Sequence, residues 1–157
     1  MRKRPIVAIS GGMDPIHPGH VRYIVDAARY GDVHVYLNTD EWLVNKKGYA
    51  FMPFKDRAEI IWAIKGVTMV IPAGDEDGTV CSTIRQFKPD FFAKGGDRGP
   101  TNTPEAELCG HLGIEVLYGI GGDKIDSSSA IVNRLAEWIR EDGDLPHSTP
   151  IKEPWGK

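Results

Sequence analysis

Apolar residues fall along this chain in two alternating rhythms. Residues 6–9, Ile-Val-Ala-Ile, form a continuous apolar run ending in Ser10-Gly11-Gly12, the pattern of a strand buried on both faces and closed by a tight turn. Pro18 then opens a stretch in which Val21, Ile24, Val25 and Ala28 recur at helical spacing until Gly31. The alternation repeats. Further strands are predicted at 33–37, 67–71, 91–93 and 114–117, and further helices at 57–64, 79–87, 104–109 and 127–140. Asp40 is expected to cap a short helical turn through Val44, while residues 45–53 show neither period and read as a mobile loop carrying Lys46 and Lys47. Strands separated by helices at this spacing specify an α/β fold, a single domain with a five-stranded parallel sheet covered by helices on both faces. Ligands of such sheets lie beyond the carboxyl ends of the strands, so the informative loops are 10–20, 38–47, 94–99 and 119–129. From Glu141 the period is lost and Pro146, Pro150 and Pro154 punctuate the chain. The expected organisation is a domain over 1–140 and a Pro-containing tail over 141–157.

The 157 residues suffice for one core that buries roughly two thirds of the unfolded surface without staples. Cys81 and Cys109 form no CxxC pair, which suits structural thiols in a reducing compartment. A formal charge of −3 gives no basic footprint for nucleic acid, and small anions remain the candidate ligands. Met1-Arg2-Lys3-Arg4 leads into a short strand-like run, so no signal peptide is expected. No apolar stretch approaches the roughly twenty residues that cross a bilayer, and the expected location is cytoplasmic.

The strongest chemical signal is Gly11-Gly12-Met13-Asp14-Pro15-Ile16-His17-Pro18-Gly19-His20, a glycine-rich turn between the first strand and the first helix. A helix N-terminus offers unpaired N–H groups and partial positive charge, which suits a triphosphate. His17 and His20 flank the first residues of that helix and could donate to phosphate oxygens as charge builds on them. Gly19 leaves room where a side chain would block the nucleotide. Asp14 would orient the loop or a metal-bound phosphate. Two histidines at this spacing could instead hold a metal, but no third ligand lies at zinc spacing nearby.

His17-Pro18-Gly19-His20 resembles the HxGH signature of the nucleotidyltransferase superfamily, and the surrounding decapeptide is similar to its first loop. The resemblance implies a Rossmann-like domain whose two histidines stabilise a pentavalent transition state, with Mg²⁺ carried by the triphosphate and no metal ligand from the chain. It places Gly11, Gly12, Met13, Asp14 and Gly19 at the nucleotide. Gly121-Gly122-Asp123-Lys124-Ile125-Asp126-Ser127-Ser128-Ser129 resembles the second family motif, a serine-rich stretch opening the last helix. Ser127, Ser128 and Ser129 could bind the β- and γ-phosphates with Lys124 adding charge, or serve simply as caps. Glycerol-phosphate cytidylyltransferases carry an arginine where Gly122 stands. ADP-heptose synthase adenylyltransferases lack it, and Lys94-Gly95-Gly96-Asp97 resembles their Lys-Gly-Gly-Asp turn. Lys94, Gly96 and Asp97 thereby become nucleotide candidates.

Leu37-Asn38-Thr39-Asp40 resembles the strand end where an acceptor binds, and Arg57 falls where relatives place an arginine, so Asn38, Asp40 and Arg57 are acceptor candidates. Lys46 or Lys47 could neutralise the leaving pyrophosphate. The resemblance implies transfer of CMP or AMP from CTP or ATP to a phosphorylated sugar, polyol or similar molecule by a homodimer or larger homo-oligomer. Pantetheine-phosphate and nicotinate-mononucleotide adenylyltransferases, and a nucleotide-binding sensor without catalysis, stay open as alternatives.

Overall fold

The structure, a computed structural model, describes residues 3–96, 99–100 and 102–142. Elements alternate along the chain as β1 (Ile6–Gly11), α1 (Pro18–Ala27), β2 (Asp32–Asn38), α2 (Asp40–Lys47), α3 (Phe54–Trp62), β3 (Val67–Ala73), α4 (Cys81–Phe87), β4 (Phe91–Gly95), α5 (Pro104–Leu112), β5 (Glu115–Ile120) and α6 (Ser128–Asp142). All five strands run parallel in the order β3-β2-β1-β4-β5. The apolar runs become strands because both faces of the sheet are covered. Val7, Ile9, Val35 and Leu37 point to one side and pack with Ile24, Ala27 and Ile61 of α1 and α3. Ala8, Tyr36 and Phe92 point to the other and meet Ile84, Leu108 and Cys109 of α4 and α5.

Chain order reverses at β1. The chain proceeds outward through β2 and β3, then returns to lay β4 and β5 on the opposite side of β1. The loops after β1 and β4 therefore diverge and leave a crevice at the strands' carboxyl ends, where α/β sheets bind ligands.

The sequence expectations fail in one region. Lys46 and Lys47 do not ride a mobile loop; they form the last turn of α2, which runs on to Gly48 at φ +86°. The cap is Thr39, whose hydroxyl accepts the Trp42 N–H at 3.2 Å, and Asp40 is the first helical residue. Acidic residues at the start and lysines at the end complement the helix dipole, so α2 is held by caps and charge while only Leu43 is buried. The last helix reaches Asp142, two residues into the expected tail; residues 143–157 lie outside those described. Among the described residues no helix is long and apolar enough to cross a membrane.

Candidate functional site

The turn after β1 is built around Asp14, which is wholly buried and accepts the N–H groups of Phe51 and Met52 at 2.6 Å each. Its carboxylate is thus committed to backbone. Met13, at φ +49° and also buried, carries the chain round to α1.

Two histidines cap α1 reciprocally. His17 is the N-cap, its Nδ1 accepting the Gly19 N–H at 3.0 Å, and Nδ1 of His20 accepts the His17 N–H at 3.1 Å. The ring centroids lie 3.9 Å apart. With both Nδ1 atoms accepting, the neutral tautomer carries its proton on Nε2, an assignment that follows from the hydrogen-bond pattern. Burial lowers the pKa of both imidazoles. For His17, Asp126 opposes the shift and Lys124 adds to it; for His20 burial is reinforced by His17 and Lys47, and the value falls to about 3. Two neutral Nε2–H donors at neutral pH are the outcome. Gly19 serves this arrangement in a way its sequence role did not anticipate, since a Cβ there would lie 2.7 Å from Cε1 of His17. The missing side chain makes room for the imidazole.

One cavity borders both histidines and a second borders His20. The first, of about 220 Å³, is bordered by His17, Gly19, Gly96, Lys124, Asp126 and Ser127. The other, of about 470 Å³, is bordered by Asn38, Trp42, Lys46, Lys47, Lys94 and Glu105, with Gly11, Gly12 and Met13 along its rim. His20, Tyr23 and Gly95 border both and form the partition. Tyr23 is fixed there by donating to the Ala93 carbonyl at 2.6 Å. Gly121, at φ +88°, passes so close to the Tyr23 backbone that a Cβ would lie 2.8 Å from its Cα. The Gly121 N–H is anchored to Asp26 at 2.8 Å.

The serines divide their work. Ser127 accepts the Ala130 N–H at 3.1 Å and caps α6 at the first cavity. Ser128 is buried and donates to the Pro15 carbonyl at 2.9 Å, so its hydroxyl ties α6 to the histidine loop and is not free for phosphate. Ser129 is exposed and borders neither cavity. Lys94 borders the second cavity, not the first, and its ammonium donates to Thr103, the N-cap of α5. Lys46 rests over the Trp42 ring with Nζ 5.8 Å from its centroid. Asp97 lies outside the described residues.

The acceptor trio is not brought together at a cavity. Asn38 borders the second cavity and donates to the Ala73 carbonyl at 3.3 Å. Arg57 and Asp40 border neither. Arg57 is wholly buried and its Nη2 meets Asp40 Oδ1 at 2.6 Å, while the other Asp40 oxygen accepts the Phe54 N–H at 3.1 Å. Both residues tie elements of the fold together, and neither borders the two cavities. Sequence reasoning missed Tyr23, Trp42, Thr103 and Glu105. Tyr23 was within reach, three positions after His20 on the same helix face. Trp42 lay within the expected helical turn, but nothing in the local sequence marked it as bordering a cavity.

A family model described as cytidylyltransferase-like matches residues 8–114. An FAD synthase from Ferroglobus placidus is 36% identical over 92 residues, covering 59% of this chain and 59% of that protein. The bifunctional protein HldE of Gluconobacter oxydans is 41% identical over 115 residues, covering 71% of this chain and 24% of the relative. The chain thus matches less than two thirds of either relative's length. Among solved structures, a lipopolysaccharide core biosynthesis protein from Thermoplasma volcanium GSS1 matches with a TM-score of 0.61 at 26% identity, over 78% of this chain and 99% of that one.

Proposed function

Because the chain belongs to the cytidylyltransferase-like family of nucleotidyltransferases, we propose that it transfers AMP from ATP to a phosphorylated sugar or polyol, releasing pyrophosphate. The observation that carries this reading is the reciprocal capping of His17 and His20, which leaves two neutral Nε2–H donors on side chains that both border the first cavity, with His20 bordering the second as well. The triphosphate is assigned to the first cavity, where the N-termini of α1 and α6 converge, and the acceptor to the second, where Lys46, Lys47 and Lys94 supply positive charge. ATP is preferred over CTP because Gly122 stands where glycerol-phosphate cytidylyltransferases carry arginine and because the likeness to an FAD synthase points to adenylyl transfer. The polar border of the second cavity, with Asn38, Lys94 and Glu105, suits a hydroxyl-rich acceptor.

The reaction is an in-line displacement. An oxygen of the acceptor phosphate forms a bond to the α-phosphorus as the bond from that phosphorus to the bridging oxygen of pyrophosphate breaks. An acceptor phosphate is already ionised near neutral pH, so no general base is required. The histidines donate to oxygens on the α-phosphoryl group as charge accumulates there, and their capping bonds hold them in place beforehand. Lys124 adds charge on the pyrophosphate side. Mg²⁺ would come as a companion of the triphosphate, held by the phosphates rather than by Asp14, whose carboxylate is engaged with backbone. When bound, it would screen the triphosphate and polarise the transferred group.

Pyrophosphate release measured for ATP and CTP against sugar phosphates, polyol phosphates, flavin mononucleotide, phosphopantetheine and nicotinate mononucleotide tests the reading. Turnover is expected with ATP and a sugar or polyol phosphate. Nucleotide binding without turnover across the whole panel would turn the assignment to a sensor.

A further inference from the structure

β1 and β2 stay in register as far as Gly11 opposite Leu37. One residue later they part, β1 into the histidine loop and β2 toward α2. Arg57 of α3 occupies the fork. Its Nη1 donates to the Gly12 carbonyl, one residue past the end of β1, at 2.7 Å and to the Asn38 carbonyl, the last residue of β2, at 2.9 Å. Nη2 reaches Asp40 at 2.6 Å and Nε reaches the Met52 carbonyl at 2.9 Å. Asp14 closes the assembly by holding the Phe51 and Met52 N–H groups. A side chain with no exposure thus joins the histidine loop, the end of β2, the start of α2 and the 51–52 segment.

Two facing carbonyls repel unless a donor lies between them, and a planar guanidinium can satisfy both while reaching two further acceptors. An ammonium offers one compact charge and no such fork. Gly12 and Asn38 are also residues that border the acceptor cavity, although Arg57 itself does not.

We propose that Arg57 is a positioning residue which, acting through the Gly12 and Asn38 carbonyls, sets the spacing between the histidine loop and the end of β2 at the acceptor cavity. That spacing governs the distance from which the acceptor oxygen faces the α-phosphorus. The inference rests on the transfer reaction proposed above. Displacement proceeds well only when reacting atoms stand about 3–3.5 Å apart, and a misplacement of about 1 Å costs roughly 10²-fold. Loss of the fork therefore appears in the chemical step, with binding of either substrate little changed.

The test is steady-state kinetics of Arg57→Lys beside wild type, with the fold checked by circular dichroism and thermal melting. The expected result is kcat lower by roughly 30- to 100-fold, with KM for ATP and KM for acceptor each within about threefold of wild type. An unchanged kcat in a folded variant overturns the proposal. So does a raised acceptor KM with kcat intact, which would mark Arg57 as a direct acceptor contact. Should Arg57→Lys fail to fold, Asp40→Asn loosens the same clamp from its exposed end and decides by the same split in kcat and KM. Absence of turnover in the wild type would count against the reaction, whereas a variant that keeps kcat would count against the clamp alone.

Discussion

Nδ1 of His20 accepts the His17 N–H at 3.1 Å, and a proton on that nitrogen would set donor against donor. Burial and the charges of its neighbours act in the same direction, holding the imidazole neutral down to about pH 3. In the unfolded chain an ordinary histidine takes up its proton near pH 6.5. Between those values the unfolded state binds more protons, so stability is complete above about pH 6.5 and declines as pH falls toward 3. His17 shifts in the same direction. His20→Asn keeps a side-chain acceptor for the cap and removes the titration. Urea denaturation should therefore show wild type losing about 1–2 kcal/mol more than this variant between pH 7 and pH 4.5. Parallel pH profiles for the two proteins would refute the account. The histidine pair was legible in the sequence because its chemistry is local: cap, partner and helix start lie within four positions.

α2 and α6 show what local pattern does and does not convey. α2 buries only Leu43 among its eight residues, so no apolar period marks it, and its cap and its complementary charges are the whole signal. α6 was visible from its serines and apolar spacing, yet their separate tasks were not. Ser128 finds its partner, the Pro15 carbonyl, 113 positions away. Ser128→Ala should cost about 1 kcal/mol of stability, the usual net value of one such bond, and raise KM for ATP more than KM for acceptor, because Ser127, which caps α6, borders only the cavity assigned above to the triphosphate. Equal effects on the two Michaelis constants would contradict that division.

At the scale of the whole molecule, the five strands and their order around β1 create one crevice with two chambers. The parallel sheet was readable because strands covered on both faces must be apolar throughout. The tie at Arg57 was not, since its partners Gly12 and Asn38 stand 45 and 19 positions away and only the fold unites them. Division of the crevice predicts separable specificities. Lys46→Ala should raise KM for acceptor by roughly tenfold, the equivalent of about 1.4 kcal/mol, with KM for ATP nearly unchanged, measured by varying each substrate at saturation of the other. A rise confined to ATP would reverse the chamber assignment. The bond from Ser128 to Pro15 also bears on synthesis. A nascent polypeptide can complete the smaller cavity only after residue 128 has cleared the ribosomal tunnel, so on the assignment of the triphosphate proposed above, nucleotide would stabilise late, nearly finished states and not earlier folding intermediates.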